Sequence, residues 1–210
     1  NDANATMLKK FTWKENDLYL VQLKDDLFII AQLLVKPYVA FFDVAVSPSE
    51  TDKLQIDLSL MQPMGSCAVL KGFIKKCAVA KINHGIKFAH NLEVPEFFIS
   101  PDKAQWLYKS DFKDDQLKYS LVRIDPKTGD QGIMGNEIIK ADIKNNNPEL
   151  FDKYELVGYN TGYELLRRLV LSVENKRWID PQKSKILSGK DEYALKTLDE
   201  LFAAGVIKIE

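Results

Sequence analysis

Residues 17–35 read DLYLVQLKDDLFIIAQLLV, and this stretch decides the fold class. Asp17–Leu23 alternates loosely between apolar and polar residues, Lys24-Asp25-Asp26 is a polar break, and the second apolar run, Leu27–Val35, is apolar on both faces over Leu27–Leu34. A helix is the competing interpretation of this run, but its aromatic and β-branched content and the turn at Asp25-Asp26 favour a strand. Two strand-length runs separated by turn-forming residues are typical of a β-hairpin. Because a strand in the interior of a sheet buries both faces, the second run is expected to be central.

Further strand candidates lie between residues 38 and 143. Leu54–Met61 alternates regularly between apolar and polar positions, which favours a strand. The other runs rich in β-branched and aromatic residues are Tyr38–Val46, Ala68–Phe73, Ala78–Ile82, Tyr119–Ile124 and part of Ile133–Ile143.

The C-terminal third has helical periodicity. Thr161 and Glu164 have the spacing of a capping box, and an apolar stripe at helical spacing follows them. Asp180-Pro181 is expected to end this helix. A second helix is predicted after a cap at Ser188 or Asp191, with Gly205 as its stop and Val206–Ile209 as a short final strand. The stripe of the first helix consists of Leu165, Leu166, Leu169, Val170 and Val173.

These patterns together predict an α+β fold. Residues 1–147 are expected to form a β-rich, twisted sheet or partial barrel, with residues 1–8 flexible. Residues 148–210 are expected to form a helical portion packed on that body as one unit. The polar segment Asn145–Pro148 marks the boundary between them.

Composition narrows the function classes. The 210 residues carry 29 basic and 30 acidic side chains, a net charge of -1, and only four of the basic residues are arginines. A strongly basic nucleic-acid binder is therefore disfavoured, because neutralising phosphates needs clustered lysine and arginine. No apolar run reaches the ~18 residues that span a bilayer, and no signal peptide is visible, so the expected location is cytoplasmic.

No catalytic, cofactor-binding or metal-binding motif is recognisable. His84 and His90 are the only histidines, and Ser66, Cys67 and Cys77 are the nucleophiles nearest to them in sequence. None of these residues stands in a known nucleophile signature. The two cysteines are expected to be small buried hydrophobes. A hydrolase that pairs one of the histidines with one of these nucleophiles remains an alternative.

Two acidic groups are candidates for partner binding. Asp25 and Asp26 lie on the predicted hairpin turn, and Asp111, Asp114 and Asp115 lie on a polar loop. Such groups commonly serve solubility. Their functional interpretation is a surface complementary to a basic partner, where opposite charge speeds the encounter and selects the partner.

The segment 10–34, KFTWKENDLYLVQLKDDLFIIAQLL, resembles the opening of the immunity protein 26 family of bacterial polymorphic-toxin systems. Asn16 stands where that family usually has glycine, and Leu27-Phe28 replaces its common turn exit. Later landmarks follow in the family's order at Gly72-Phe73, Glu93–Phe98 and Tyr119–Val122. The resemblance covers residues 9–125 and does not extend to the residues after about 148.

This resemblance implies a cytoplasmic antidote without enzymatic activity or cofactor. Such a protein binds a cognate toxin, often a nuclease used in contact-dependent growth inhibition, and covers its active site or an adjacent surface. The resemblance implies no direct contact with nucleic acid or membrane and leaves self-association open. The rival hypotheses are a single-stranded nucleic-acid binder with exposed aromatic side chains and the hydrolase described above.

Overall fold

The computed structural model describes residues 8, 10–102, 117–124 and 136–209. The fold is α+β, as predicted. The chain divides into two compact units: unit 1 comprises residues 1–94, 160–179 and 193–210, and unit 2 comprises residues 95–159 and 180–192. The predicted boundary at residue 147 falls inside unit 2.

Unit 1 is built on a five-stranded antiparallel sheet. Its strands, in chain order, are β1 (Leu18–Lys24), β2 (Leu27–Leu33), β3 (Tyr38–Phe42), β5 (Gly65–Ala68) and β6 (Ala78–Ile82). They lie in the order β5-β3-β2-β1-β6, so the predicted hairpin β1–β2 is central. A short parallel pair joins β4 (Ile56–Asp57) to β7 (Ile86–Lys87). The described part of this sheet is open and forms no closed barrel.

Helix α4 (Gly162–Asn175) supplies the apolar cover of the unit 1 sheet. Its predicted stripe, from Leu165 to Val173, is buried in one cluster with side chains of β1, β2, β3 and β5. This helix was therefore predicted correctly, except at its ends. The Thr161 side chain makes no capping hydrogen bond, and the helix stops at Lys176, which has a left-handed backbone (φ 55°), rather than at Asp180.

Unit 2 has a four-stranded sheet in the order β10-β9-β8-β11. Its strands are β8 (Phe97–Pro101), β9 (Tyr119–Arg123), β10 (Glu137–Lys140) and β11 (Glu155–Leu156), and only the β8–β11 pair is parallel. The helices described in this unit are α2 (Ile143–Asn146), α3 (Pro148–Lys153) and α5 (Pro181–Ser188). Among the described residues of this unit, one cluster of buried side chains comprises Ile99, Tyr119, Leu121, Ile143 and Phe151.

Two strand predictions were wrong for physical reasons. The predicted strand Ala68–Phe73 gives way to helix α1 (Lys71–Cys77), because its buried residues Phe73, Ile74 and Cys77 recur at helical spacing. In Leu54–Met61 only Ile56–Asp57 is a strand. The Asp57 carboxylate accepts a hydrogen bond from the Ser59 N–H at 2.9 Å and starts a 3₁₀ turn over Leu58–Leu60.

The second predicted C-terminal helix was also misplaced. Asp180 caps α5 by accepting from the Gln182 N–H at 3.0 Å, so Ser188 ends a helix instead of starting one. Helix α6 (Leu198–Ala203) follows, and the Thr197 hydroxyl caps it by accepting from the Glu200 N–H at 3.1 Å. Beyond Gly205, the predicted final strand is reduced to single bridge residues at Val206, which pairs with Lys24, and at Lys208.

Candidate partner-binding site

The turn between β1 and β2 presents two adjacent carboxylates. The last residue pair of the hairpin is Lys24–Leu27, so Asp25 and Asp26 form the loop, and both are exposed. A bulge places Leu23 and Lys24 opposite Leu27 alone, which increases the local twist of the hairpin. The predicted position of this turn is confirmed.

A distant part of the chain fixes the backbone of the turn. The Asp25 N–H donates to the Gly205 carbonyl at 3.1 Å, and the Ile207 N–H donates to the Leu23 carbonyl at 3.2 Å. The Gln22 side-chain amide adds weaker bonds to the Lys24 and Asp25 carbonyls at 3.3 and 3.4 Å. Because this backbone is already ordered, a partner that binds the turn has little conformational entropy to remove.

Gly205 supports the acidic turn, a role that could not be predicted from the sequence. Its φ of 88° lies in the left-handed region, which fits the predicted helix stop. A Cβ at this position would lie 3.1 Å from a carboxylate oxygen of Asp25, so glycine also keeps the space that this carboxylate occupies. The local sequence gives no indication of this contact, because residues 25 and 205 are brought together only by the tertiary fold.

A cleft of about 600 Å³ opens beside the acidic turn. One wall is the turn itself, and the others are the C-terminal ends of α4 and α6. Since helix C-termini carry partial negative charge, both ends add to the negative potential of Asp25 and Asp26. The lining residues are Lys24, Asp25, Asp26, Leu27, Val173, Glu174, Lys176, Ala204 and Gly205.

The two lysines at the cleft have other carboxylate partners. Lys24 pairs with Glu174 at 3.5 Å, and Lys176 pairs with Asp43 at 3.5 Å. Within the described residues, neither Asp25 nor Asp26 forms an ion pair. The acidic turn therefore keeps its negative charge available to a cationic partner.

The second predicted acidic group cannot be placed in the same way. Asp111, Asp114 and Asp115 lie outside the described residues. Their part in partner binding stays a prediction.

The histidines and cysteines occupy different environments. His84 and His90 are exposed, and the His90 ring lies 4.3 Å from the Phe88 ring between centroids. Cys67 and Cys77 are both buried, which confirms their predicted character, whereas Ser66 is half-buried on β5. Burial raises the pKa of the Cys77 thiol to about 12, so this sulfur is protonated at neutral pH and is a poor nucleophile.

The buried Cys77 thiol predicts a specific alkaline destabilisation. An unfolded thiol ionises near pH 9, whereas the folded one keeps its proton to about pH 12. Between these values the unfolded state loses a proton first, so the free energy of unfolding should fall by about 1.4 kcal/mol per pH unit from this group. Burial also raises the pKa of Tyr19, which acts in the same direction.

Urea denaturation of the wild type and of Cys77→Ala at pH 8, 9 and 10 measures this effect. The variant should be less stable at pH 8 because it has lost a buried atom, but its stability should fall less steeply above pH 9. The Tyr19 contribution is common to both proteins and cancels in the comparison. Parallel pH profiles would show that the Cys77 thiol has an ordinary pKa.

Two further findings on the described residues concern metal binding and membrane spanning. No group of three or more His, Cys, Asp or Glu side chains in this part of the chain is arranged to hold a metal ion. None of its helices combines the length and apolarity that crossing a membrane requires.

Comparison with known proteins identifies the family of the chain. A family profile described as a domain of unknown function, DUF8309, matches residues 8–190. The chain belongs to the DUF8309 family. The DUF8309 match includes the acidic turn and α4 but ends before Gly205 and Ile207, which hold the turn in place. No curated protein and no solved structure matches the chain significantly.

Proposed function

We propose that this protein is an immunity protein, a cytoplasmic antidote that binds and neutralises a cognate bacterial toxin. The proposed toxin is a nuclease, whose active site or an adjacent surface is covered in the complex. The protein itself performs no chemistry in this proposal. The observation that carries it is the acidic turn Asp25-Asp26, which is exposed, ordered and without an ion pair in the described structure.

The charge of the turn fits the expected partner. An enzyme that binds nucleic acid presents cationic side chains to phosphates, and the same side chains can bind carboxylates. The cleft beside the turn has room for long basic side chains, and the C-terminal ends of α4 and α6 favour a cation there. Complementary charge at such a surface raises the association rate and selects the partner.

The family resemblance receives support from one backbone angle. Asn16 stands where the immunity protein 26 family usually has glycine, and its φ is 70°. Glycine adopts this left-handed conformation freely, and asparagine is among the few other residues that tolerate it. Asn16 therefore occupies a backbone conformation that a glycine at this position would also adopt freely.

The proposal is tested with the toxin domain encoded beside the gene of this protein. The purified pair should form a tight 1:1 complex by calorimetry, and the complex should lack the toxin's nuclease activity. If the proteins do not bind, or if the complex retains full nuclease activity, the proposal is wrong.

The acidic turn is tested by charge reversal. Asp25→Lys combined with Asp26→Lys should slow association with the toxin about tenfold at low ionic strength, and less at high salt, because screening weakens steering. Stopped-flow mixing at several salt concentrations measures this rate. Thermal stability should change little, because both side chains are exposed and unpaired in the described structure.

A second charge reversal gives the matched control. Glu50 and Asp52 also lie on an exposed turn of unit 1, so Glu50→Lys with Asp52→Lys changes the net charge by the same amount. This variant should bind at close to the wild-type rate. Equal slowing by both pairs would mean that the net charge acts, and that the Asp25-Asp26 turn has no special part.

A further inference from the structure

Helix α1 has one buried face and one strongly basic face. Phe73, Ile74 and Cys77 point into the core of unit 1. The remaining positions of this helix are all exposed, and three of the four are lysines: Lys71, Gly72, Lys75 and Lys76. Because residues four apart lie on the same side of a helix, Lys71 and Lys75 are neighbours about one turn apart.

The charge on this face is not neutralised in the described part of the chain. Helix α1 contains no acidic residue, and the described ion pairs include none of its lysines. The next lysine along the chain behaves differently, since Lys81 pairs with Asp17 at 3.0 Å. The Leu8 N–H donates to the Lys75 carbonyl at 3.1 Å, and the exposed Lys10 follows Leu8 two residues later in the chain.

The composition of the face discriminates between classes of partner. Protein–protein interfaces take most of their binding energy from aromatic and arginine anchors, and lysine is depleted in them. The exposed part of α1 has no such anchor. Leu70 at the N-cap is 44% exposed, but leucine is under-represented among dominant interface residues. Binding a phosphate backbone requires only correctly placed cations.

We propose that the lysine face of α1, formed by Lys10, Lys71, Lys75 and Lys76, binds the phosphate backbone of nucleic acid without sequence preference. Lysine is a compact point charge that neutralises phosphates, whereas arginine presents a planar fork that suits bidentate contacts. Gly72 lies between the lysines, and a Cβ built there meets no atom within 4 Å, so a strand can approach the helix backbone closely.

The whole-chain charge does not oppose this surface. The net charge of -1 disfavours a protein that is basic throughout, but it includes local groups of opposite sign. The acidic turn Asp25-Asp26 and the lysine face are two such groups on unit 1. The proposed contact also does not depend on toxin binding, because it can be measured on this chain alone.

The test is fluorescence anisotropy with a fluorescein-labelled 20-nucleotide oligo-dT in 25 to 200 mM KCl. Each lysine that contacts a phosphate of single-stranded DNA should contribute about -0.7 to the slope of log K against log salt, so four should give about -3. The triple variant Lys71→Gln, Lys75→Gln, Lys76→Gln should bind at least tenfold more weakly at 50 mM KCl, with a slope about 2 units shallower.

A second triple variant separates a local site from overall charge. Lys36, Lys53 and Lys87 are exposed on unit 1 and absent from the described ion pairs, so changing all three to glutamine alters the net charge equally. This control should bind within twofold of the wild type. Three results would overturn the proposal: equal weakening by both triple variants, no binding at 25 mM KCl, or displacement of the oligonucleotide by an equally charged poly-glutamate at the same concentration. The last would point to an acidic protein partner.

Discussion

Gly65→Ala is expected to lower the free energy of unfolding by about 3 kcal/mol. Gly65 begins β5, where it pairs with Phe41, and a Cβ at this position would overlap the indole ring of Trp178. The ring has little freedom to move away, because the Arg168 guanidinium lies 4.0 Å from its centroid and the Phe41 ring lies 6.4 Å away. Urea denaturation followed by circular dichroism measures the loss.

Gly72→Ala is the matched control for this substitution. It makes the same chemical change in unit 1, but the added methyl group meets no atom within 4 Å. Because Gly72 lies inside α1, alanine there should stabilise the protein by about 0.5 to 1 kcal/mol.

The double variant Gly65→Ala, Trp178→Ala should lose less stability than the sum of its two single changes, because removing the ring removes the overlap. Additive losses would refute this explanation.

Leu169→Ala should cost about 3 to 4 kcal/mol of folding free energy. Leu169 is fully buried in the middle of the α4 stripe, where its side chain belongs to the core cluster shared with the unit 1 sheet. Truncation to alanine removes apolar contacts of the side chain and leaves a cavity in the core. Thermal and urea unfolding of the variant measure the effect.

Leu198→Ala provides the comparison at an exposed position. Leu198 is the first residue of α6 and is 50% exposed, so its loss should change stability by no more than about 0.5 kcal/mol. A similar cost for the two substitutions would mean that α4 does not pack on the sheet through its apolar stripe.

The elements predicted correctly are those whose pattern is long and whose two faces differ clearly. The hairpin β1–β2 combines two apolar runs with a polar turn, and α4 repeats its apolar positions over several turns. Both patterns follow from which side chains the core must bury, and this is visible in the local sequence.

The errors arose where the local pattern was short or ambiguous. In α1, three buried residues within seven fit either a strand or a helix, and only the tertiary packing decides. In Leu58–Leu60 the alternation does not reflect one buried face, because Leu58 is fully buried whereas Leu60 is 85% exposed. The spacing of threonine and glutamate was likewise insufficient, since Thr161 makes no cap but Thr197 does.

Only the acidic turn of the candidate site could be predicted from the sequence, whereas its support and the adjacent cleft could not. The acidic turn follows from Lys24-Asp25-Asp26 between two apolar runs, because turn chemistry is local. Its support by Gly205 and Ile207, and the cleft between that segment and α4, depend on contacts between residues far apart in the chain. No periodicity in either segment indicates such contacts.

Because hydrogen bonds join residues 23–25 to residues 205–207, the turn between β1 and β2 cannot be fixed until residue 207 has been synthesised. The first hairpin leaves the ribosome early, but the segment that secures its turn follows roughly 180 residues later. At translation rates of 5 to 20 residues per second, this delay lasts about 10 to 40 s. For most of this delay the nascent sheet also lacks α4, so the apolar face that α4 will cover stays open to chaperones and to other nascent chains. The turn made first is therefore among the last parts of unit 1 to be fixed.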